Sequence, residues 1–106
     1  MNEAEFHKTA TATLLQIEQA IETCGIDIDF ENAGDILTLE FENGSKIIVN
    51  KQGAAHQIWV AARSGGFHYD FDPATLKWRN DQSGAELFTE LSRLTSEQAG
   101  MPVALG

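Results

Sequence analysis

The chain has 106 residues, 42% of them hydrophobic, and a formal net charge of −9; that suffices for one hydrophobic core and not for two, so residues 1–106 are expected to form a single domain. No run of 18 apolar residues occurs, and the segment MNEAEFHKTA carries acids where a signal or transit peptide would carry bases, so we expect a soluble, cytoplasmic protein without membrane contact. The single cysteine, Cys24, excludes an internal disulfide and any cysteine-ligated zinc or cluster site.

Residues 2–23 predict an amphipathic helix. Asn2 with Glu5 three residues on resembles a capping box, and Phe6, Ala10, Leu14, Ile17 and Ile21 recur at spacings of three and four, which makes one apolar stripe facing a core. Glu18 and Glu22 fall together on one flank of that stripe, with His7 on the same flank nearer the N-terminus. Gly25 suits the left-handed cap that ends the helix.

The stretch GIDIDFENAGD follows, with Ile26, Ile28 and Phe30 alternating with Asp27, Asp29 and Glu31. In an extended strand the first set faces inward and the three carboxylates outward. Like charges two apart on a strand face sit about 6.8 Å apart and repel by roughly 0.6 kcal/mol per pair in water, which a mixed-charge face would avoid. Helix flank and strand row are expected to lie close together. Residues 1–42 hold ten acids against one base, Lys8, whereas residues 43–106 hold six of each sign, so the whole net charge belongs to this part of the chain. Such a surface repels nucleic acid and suits a cationic partner.

Five further strands and a second helix are expected. Ile36–Phe41 puts Leu37, Leu39 and Phe41 inward, Asn43-Gly44 turns the chain, and Lys46–Val49 returns. His56–Ala62 and Phe67–Phe71 form a second hairpin about a Gly65-Gly66 turn, and Leu76–Arg79 adds a short edge strand. Ser83 with Glu86 then opens a helix carrying Leu87, Phe88, Leu91 and Leu94, which ends near Gly100 before Pro102. The order helix, about six antiparallel strands, helix predicts an α+β two-layer sandwich, both helices on one sheet face and the other face wet.

On that wet face, burial of Ile58 and Val60 sends Gln57, Trp59 and Ala61 outward. Trp59 then either lies flat on neighbouring strands or anchors a partner, tryptophan being the residue most enriched in interface hot spots. Asn50 and Lys51 are placed to rim such a patch.

The segments FENGSKIIVNKQ, HQIWVA, GFHYDF and SGAELF, in this order and spacing, closely resemble bacterial frataxins of the CyaY type, and the resemblance extends from NEAEFH to EQAG. It implies the fold just derived, weak iron binding on an acidic ridge of helix 1 and strand 1, and a regulatory role in iron-sulfur cluster assembly through a cysteine desulfurase and a scaffold protein. Carried over, the ridge is Glu18, Glu22, Asp27, Asp29, Glu31 and Asp35, and the exposed family tryptophan is Trp59. Thr23 and Cys24 stand where relatives often have further acids, which makes the ridge thinner.

Carboxylates are hard ligands that take Fe³⁺, Ca²⁺, Mg²⁺ or Mn²⁺ and bind Fe²⁺ modestly, so side-by-side acids without a closed cage are expected to hold iron or other divalent cations weakly and exchangeably. His7 near Glu3 offers one additional site. Enzyme motifs are absent: there is no P-loop, dinucleotide fingerprint, nucleophile elbow or HExxH, and Cys24 sits at a helix C-terminus among acids, which disfavours a reactive thiolate. Two readings follow: a regulator or adaptor of cluster assembly, monomeric without iron, or an iron store and ferroxidase built from iron-loaded oligomers.

Overall fold

The computed structural model describes all residues 1–106. α1 (Glu3–Thr23) begins at the expected capping box: Asn2 accepts from the Glu5 backbone N–H over 2.8 Å, and the Glu5 carboxylate takes the Asn2 N–H. Its stripe of Phe6, Ala10, Leu14, Ile17 and Ile21 is buried as the spacing requires. The helix stops at Cys24, and Gly25 turns the chain with φ 82°, a conformation open to glycine without strain.

The strands β1 (Ile28–Ala33), β2 (Ile36–Phe41), β3 (Lys46–Gln52), β4 (Gln57–Ala62), β5 (Gly65–Asp72) and β6 (Lys77–Asn80) pair antiparallel in sequence order, an unbroken meander with β1 and β6 at its edges. Alternation decides their faces. Ile28, Leu37, Leu39, Phe41, Ile47, Val49, Ile58, Val60, Tyr69 and Trp78 join the buried stripes of α1 and of α2 (Leu87–Ala99) in one core. This is the two-layer α+β sandwich expected, with helices on one sheet face only.

Several local expectations are corrected. The strand after α1 starts at Ile28, so Asp27 lies in the connecting loop. Gly65 and Gly66 belong to β5, and the turn is made by Arg63-Ser64, because Ala62 pairs with Gly65. His56 precedes β4 with φ 51° and stacks its ring on Phe6 at 5.2 Å. Leu76 is no strand residue: it takes φ 57° in the β5–β6 turn and is 75% exposed. Ser83 does not cap α2. That task falls to Glu86, whose carboxylate accepts from the Phe88 and Thr89 N–H groups, while Ser83 lies in the turn that leaves β6. α2 ends as expected at Gly100, with φ 72°.

The C-terminal segment was not anticipated as structure. Val103 and Leu105 are buried against α2, and their backbone N–H groups donate to Ser96 Oγ and Ser92 Oγ over 2.9 Å each. Apolar alternation over so short a tail is too brief a signal to read from sequence.

Candidate functional site

Edge strand β1 divides the acidic residues into two rows. On the helix side, Glu18 Oε2 accepts from Asn32 Nδ2 over 2.7 Å, which ties α1 to β1, and Glu22 is exposed one turn further on. On the outer sheet face, Asp29 and Glu31 alternate with the inward Ile28 and Phe30, as predicted, and Asp27 is exposed just before them. Helix flank and strand row thus meet along one edge of the sandwich.

Register adds an acid that linear reading missed. Asp29 lies directly opposite Glu40 on β2, and Glu31 opposite Thr38. Asp29, Glu31 and Glu40 line one shallow depression together with Phe30, Thr38 and Lys46, the last opposite Glu40 on β3. Like charges facing each other across strands are destabilising, so this row costs the fold something. The signal was available: the Asn43-Gly44 turn fixes the β2–β3 register, and inward Leu37, Leu39 and Phe41 leave Glu40 outward. A charged edge also blocks edge-to-edge strand pairing, a benefit that needs no ligand.

The ridge residue Asp35 and the additional candidate His7 are elsewhere. Asp35 sits in the β1–β2 turn, beyond the far end of a strand that rises about 3.3 Å per residue, and forms an ion pair with Lys51 at 3.3 Å. His7 lies at the start of α1, 15 residues and therefore about 22 Å along the axis from Glu22; its Nε2 is 3.8 Å from Glu3 Oε1, and its ring packs edge-on against Phe6. No group of three or more His, Cys, Asp or Glu side chains is arranged to hold one metal ion.

The outer sheet face carries Trp59 as alternation predicted, with Ile58 and Val60 fully inward. The indole is partly covered. Its ring stacks on His68 with centroids 4.2 Å apart and planes 12° from parallel, and Nε1–H donates to Gln57 Oε1 over 2.8 Å. Asn50 is its neighbour on β3, and exposed Ile36 lies beyond Asn50 on β2. The ring is thus braced by a neighbouring strand, as the packing reading expects, and part of it still faces solvent. Lys51 is not on this rim. It shares the inward face of Ile47 and Val49, on the helix side, where Nζ donates to Thr11 Oγ1 over 2.9 Å. His68 is the residue that sequence reasoning overlooked, and the β4–β5 register that places it opposite Trp59 was obscured by the misplaced turn.

No helix is long and apolar enough to cross a membrane. The model of the frataxin-like domain matches residues 1–101. The chain is 48% identical over 103 residues to the iron-sulfur cluster assembly protein CyaY of Pseudomonas aeruginosa, covering 97% of this chain and 95% of the relative. It is 47% identical over 106 residues to the protein of the same name from Dechloromonas aromatica, with 99% of each covered. Among solved structures, frataxin from Psychromonas ingrahamii superposes with a TM-score of 0.91 at 40% identity, over 100% of this chain and 99% of that one. Yeast frataxin, at 22% identity and a TM-score of 0.63 over 89% of this chain and 83% of its own, shares the fold. With a family model spanning nearly all of the chain and relatives close to half identical over their whole length, this protein belongs to the frataxin-like family.

Proposed function

We propose that the protein is an iron-binding regulator and adaptor of iron-sulfur cluster assembly, without catalytic activity of its own, working in the cytoplasm as a monomer. Its acidic edge takes iron weakly and docks a basic surface of a cysteine desulfurase, while the outer sheet face around Trp59 meets the scaffold protein. Relatives named for iron-sulfur cluster assembly support the pathway.

The observation that carries the docking reading is uncompensated charge. None of Glu22, Asp27, Asp29, Glu31 or Glu40 has a Lys, Arg or His nitrogen within 4.0 Å, although the chain pairs other acids, such as Asp35 with Lys51 and Glu90 with Arg93. A row that the chain itself leaves unpaired is available to a basic partner. As for iron, the donors are carboxylate oxygens around an open depression, which suits a hard cation that keeps much of its water and exchanges readily. Iron is cargo or signal on such a surface, not a structural component.

Calorimetric titration with the desulfurase tests the reading. Affinity should fall steeply as salt rises beyond the point where the Debye length is about 8 Å, and the triple variant Asp27→Lys, Asp29→Lys, Glu31→Lys should not bind. Unchanged affinity in that variant would end electrostatic docking. Light scattering with Fe²⁺ in air should show a monomer; a large iron-loaded particle would point to storage instead.

A further inference from the structure

The outer sheet face holds a closed ring of side-chain contacts. Trp59 on β4 lies directly opposite His68 on β5, and their rings stack. The indole N–H donates to Gln57 Oε1; Gln57 Nε2 donates in turn to Asp70 Oδ1 over 3.0 Å and to Asp81 Oδ2 over 3.2 Å. Asp81 Oδ2 lies 3.9 Å from His68 Nδ1, which returns the path to the stacked imidazole. Asp81 is held in place by its own backbone, whose N–H donates to the His68 carbonyl over 2.9 Å.

Each link constrains the next. Two carboxylates accept only from the amide NH₂ of Gln57, so its carbonyl oxygen is left to face the indole. Tryptophan has a single donor, and here it is used. Stacking against His68 then fixes the plane of the ring, since offset-stacked aromatic pairs attract beyond their buried area. With its N–H engaged, the half-buried Trp59 has only ring carbon free for new contacts, next to Asn50 and in the same outer layer as the exposed Ile36 and Ile48. A side chain whose rotamer is already fixed loses less entropy when a partner covers it.

We propose that His68 is a positioning residue of this face: with Gln57 it locks the Trp59 indole before any partner arrives, and it leaves the partner an apolar ring rather than an N–H donor to contact. The partner group that fits is an aliphatic or aromatic side chain. The consequence for binding rests on the docking role given to Trp59 above, whereas the locking itself is a property of the free protein.

NMR of the full chain separates the two. Trp59 and Trp78 give two indole N–H signals, and Trp78, bonded to Thr13 Oγ1 in the core, serves as an internal reference. In His68→Ala, the Trp59 signal should move toward the free-tryptophan position and lose its cross-relaxation with Gln57, while Trp78 stays in place. Affinity for the purified desulfurase-scaffold complex should drop about tenfold, and His68→Phe, which keeps a ring to stack on the indole, should restore the signal and bring affinity back to within about threefold. In the complex of the unaltered protein, the Trp59 N–H should keep its contact with Gln57. An unmoved Trp59 signal in His68→Ala, or failure of His68→Phe to rescue, would overturn the positioning role; loss of the Gln57 contact in the complex would overturn the apolar contact. If the signals behave as expected but Trp59→Ala binds the complex undiminished, it is the docking reading that fails, and the functional half of this proposal with it.

Discussion

Tyr69 at the centre of β5 donates its hydroxyl hydrogen to Glu90 Oε1 on α2 over 2.6 Å, joining sheet to helix through one short charge-assisted bond. Asn80 Nδ2 donates to the same oxygen over 3.1 Å, and an Arg93 nitrogen lies 3.4 Å from the other. Burial raises the pKa of the Tyr69 hydroxyl, and its bond to Glu90 raises it further. For Glu90, burial pushes the carboxyl up, yet the bonds from Tyr69, Asn80 and Arg93 outweigh it and hold it below the usual carboxylate range.

A carboxyl depressed in the folded state stabilises the fold above its unfolded value of about 4.3, and that contribution is lost as pH falls through the lower folded value. Tyr69 works at the opposite end: its contribution is present below about pH 10 and lost as pH rises beyond. Glu90→Gln should therefore cost about 1.5 to 3 kcal/mol at pH 7, the range for a hydrogen bond to a charged group, and flatten the fall in stability below about pH 4.5. Urea melts of both proteins across acid pH measure this difference directly. Relief of repulsion among the unpaired ridge acids on protonation is common to both and cancels. An unchanged acid slope in Glu90→Gln would show that other carboxylates carry the acid response.

The C-terminal segment gives a second prediction. Val103 and Leu105 are 7% and 2% exposed, and Ser92 and Ser96 on α2 each exchange hydrogen bonds with the tail. Fully burying such a side chain contributes about 1.5 to 3 kcal/mol as an upper estimate, so Leu105→Ala should cost about 2 kcal/mol and removal of residues 102–106 about 3 to 5 kcal/mol. Thermal unfolding of the shortened chain provides the measurement. A melting temperature equal to that of the full chain would mean that the tail rests on α2 without supporting it.

Most of the architecture was legible because its signals are periodic. The α1 stripe, the inward Leu37, Leu39 and Phe41, and the outward Trp59 all follow from spacings of 3.6 or 2 that the chain keeps over a whole element. What was misread depends on single positions that two local rules can both claim. Gly65-Gly66 satisfies the rule for a tight turn, yet cross-strand pairing of Ala62 with Gly65 places both glycines in β5 and leaves Arg63-Ser64 to turn. Ser83 fits a helix N-cap, but Glu86 three residues on holds the free N–H groups itself. Glu40 and His68 join the two surfaces of interest only through the cross-strand register with the neighbouring strand, which no single stretch of sequence displays. Lys51, adjacent to Asn50 in sequence, points to the opposite side of the sheet for the same reason that Trp59 points outward.

Metal binding should map to the divided edge and not to every acid. Titration with Mn²⁺ or Co²⁺ should broaden the amide signals of Asp27, Asp29, Glu31 and Glu40 before those of Asp35, which is held by Lys51, or His7, which lies about 22 Å of helix away from Glu22. Affinity should be micromolar or weaker, as open carboxylate sites without a cage allow, and unfolding curves should hardly change. Broadening that began at His7, His56 or His68 would place the ion elsewhere on the protein.

The two tryptophans should respond to the same substitution in opposite ways. Trp78 is 3% exposed, edge-on to Phe6 and Phe71, with its N–H bonded to Thr13 Oγ1 over 2.9 Å, so Trp78→Ala removes a large core side chain and the donor that the buried Thr13 hydroxyl accepts from. A loss of about 3 to 5 kcal/mol is expected, enough to leave a domain of this size marginal. Trp59 stands on the solvent side, supported by His68 and Gln57 but covered by no second layer. Trp59→Ala should cost roughly 1 kcal/mol of stability, since only a stacking contact and one part-buried hydrogen bond are lost, while binding of the assembly partner should weaken by about 2 kcal/mol or more. Denaturant melts and calorimetric titration of both variants give the four numbers needed. A large stability loss in Trp59→Ala with partner affinity intact in the folded fraction would reassign Trp59 to the scaffold of the sheet and leave the acidic edge as the sole docking surface.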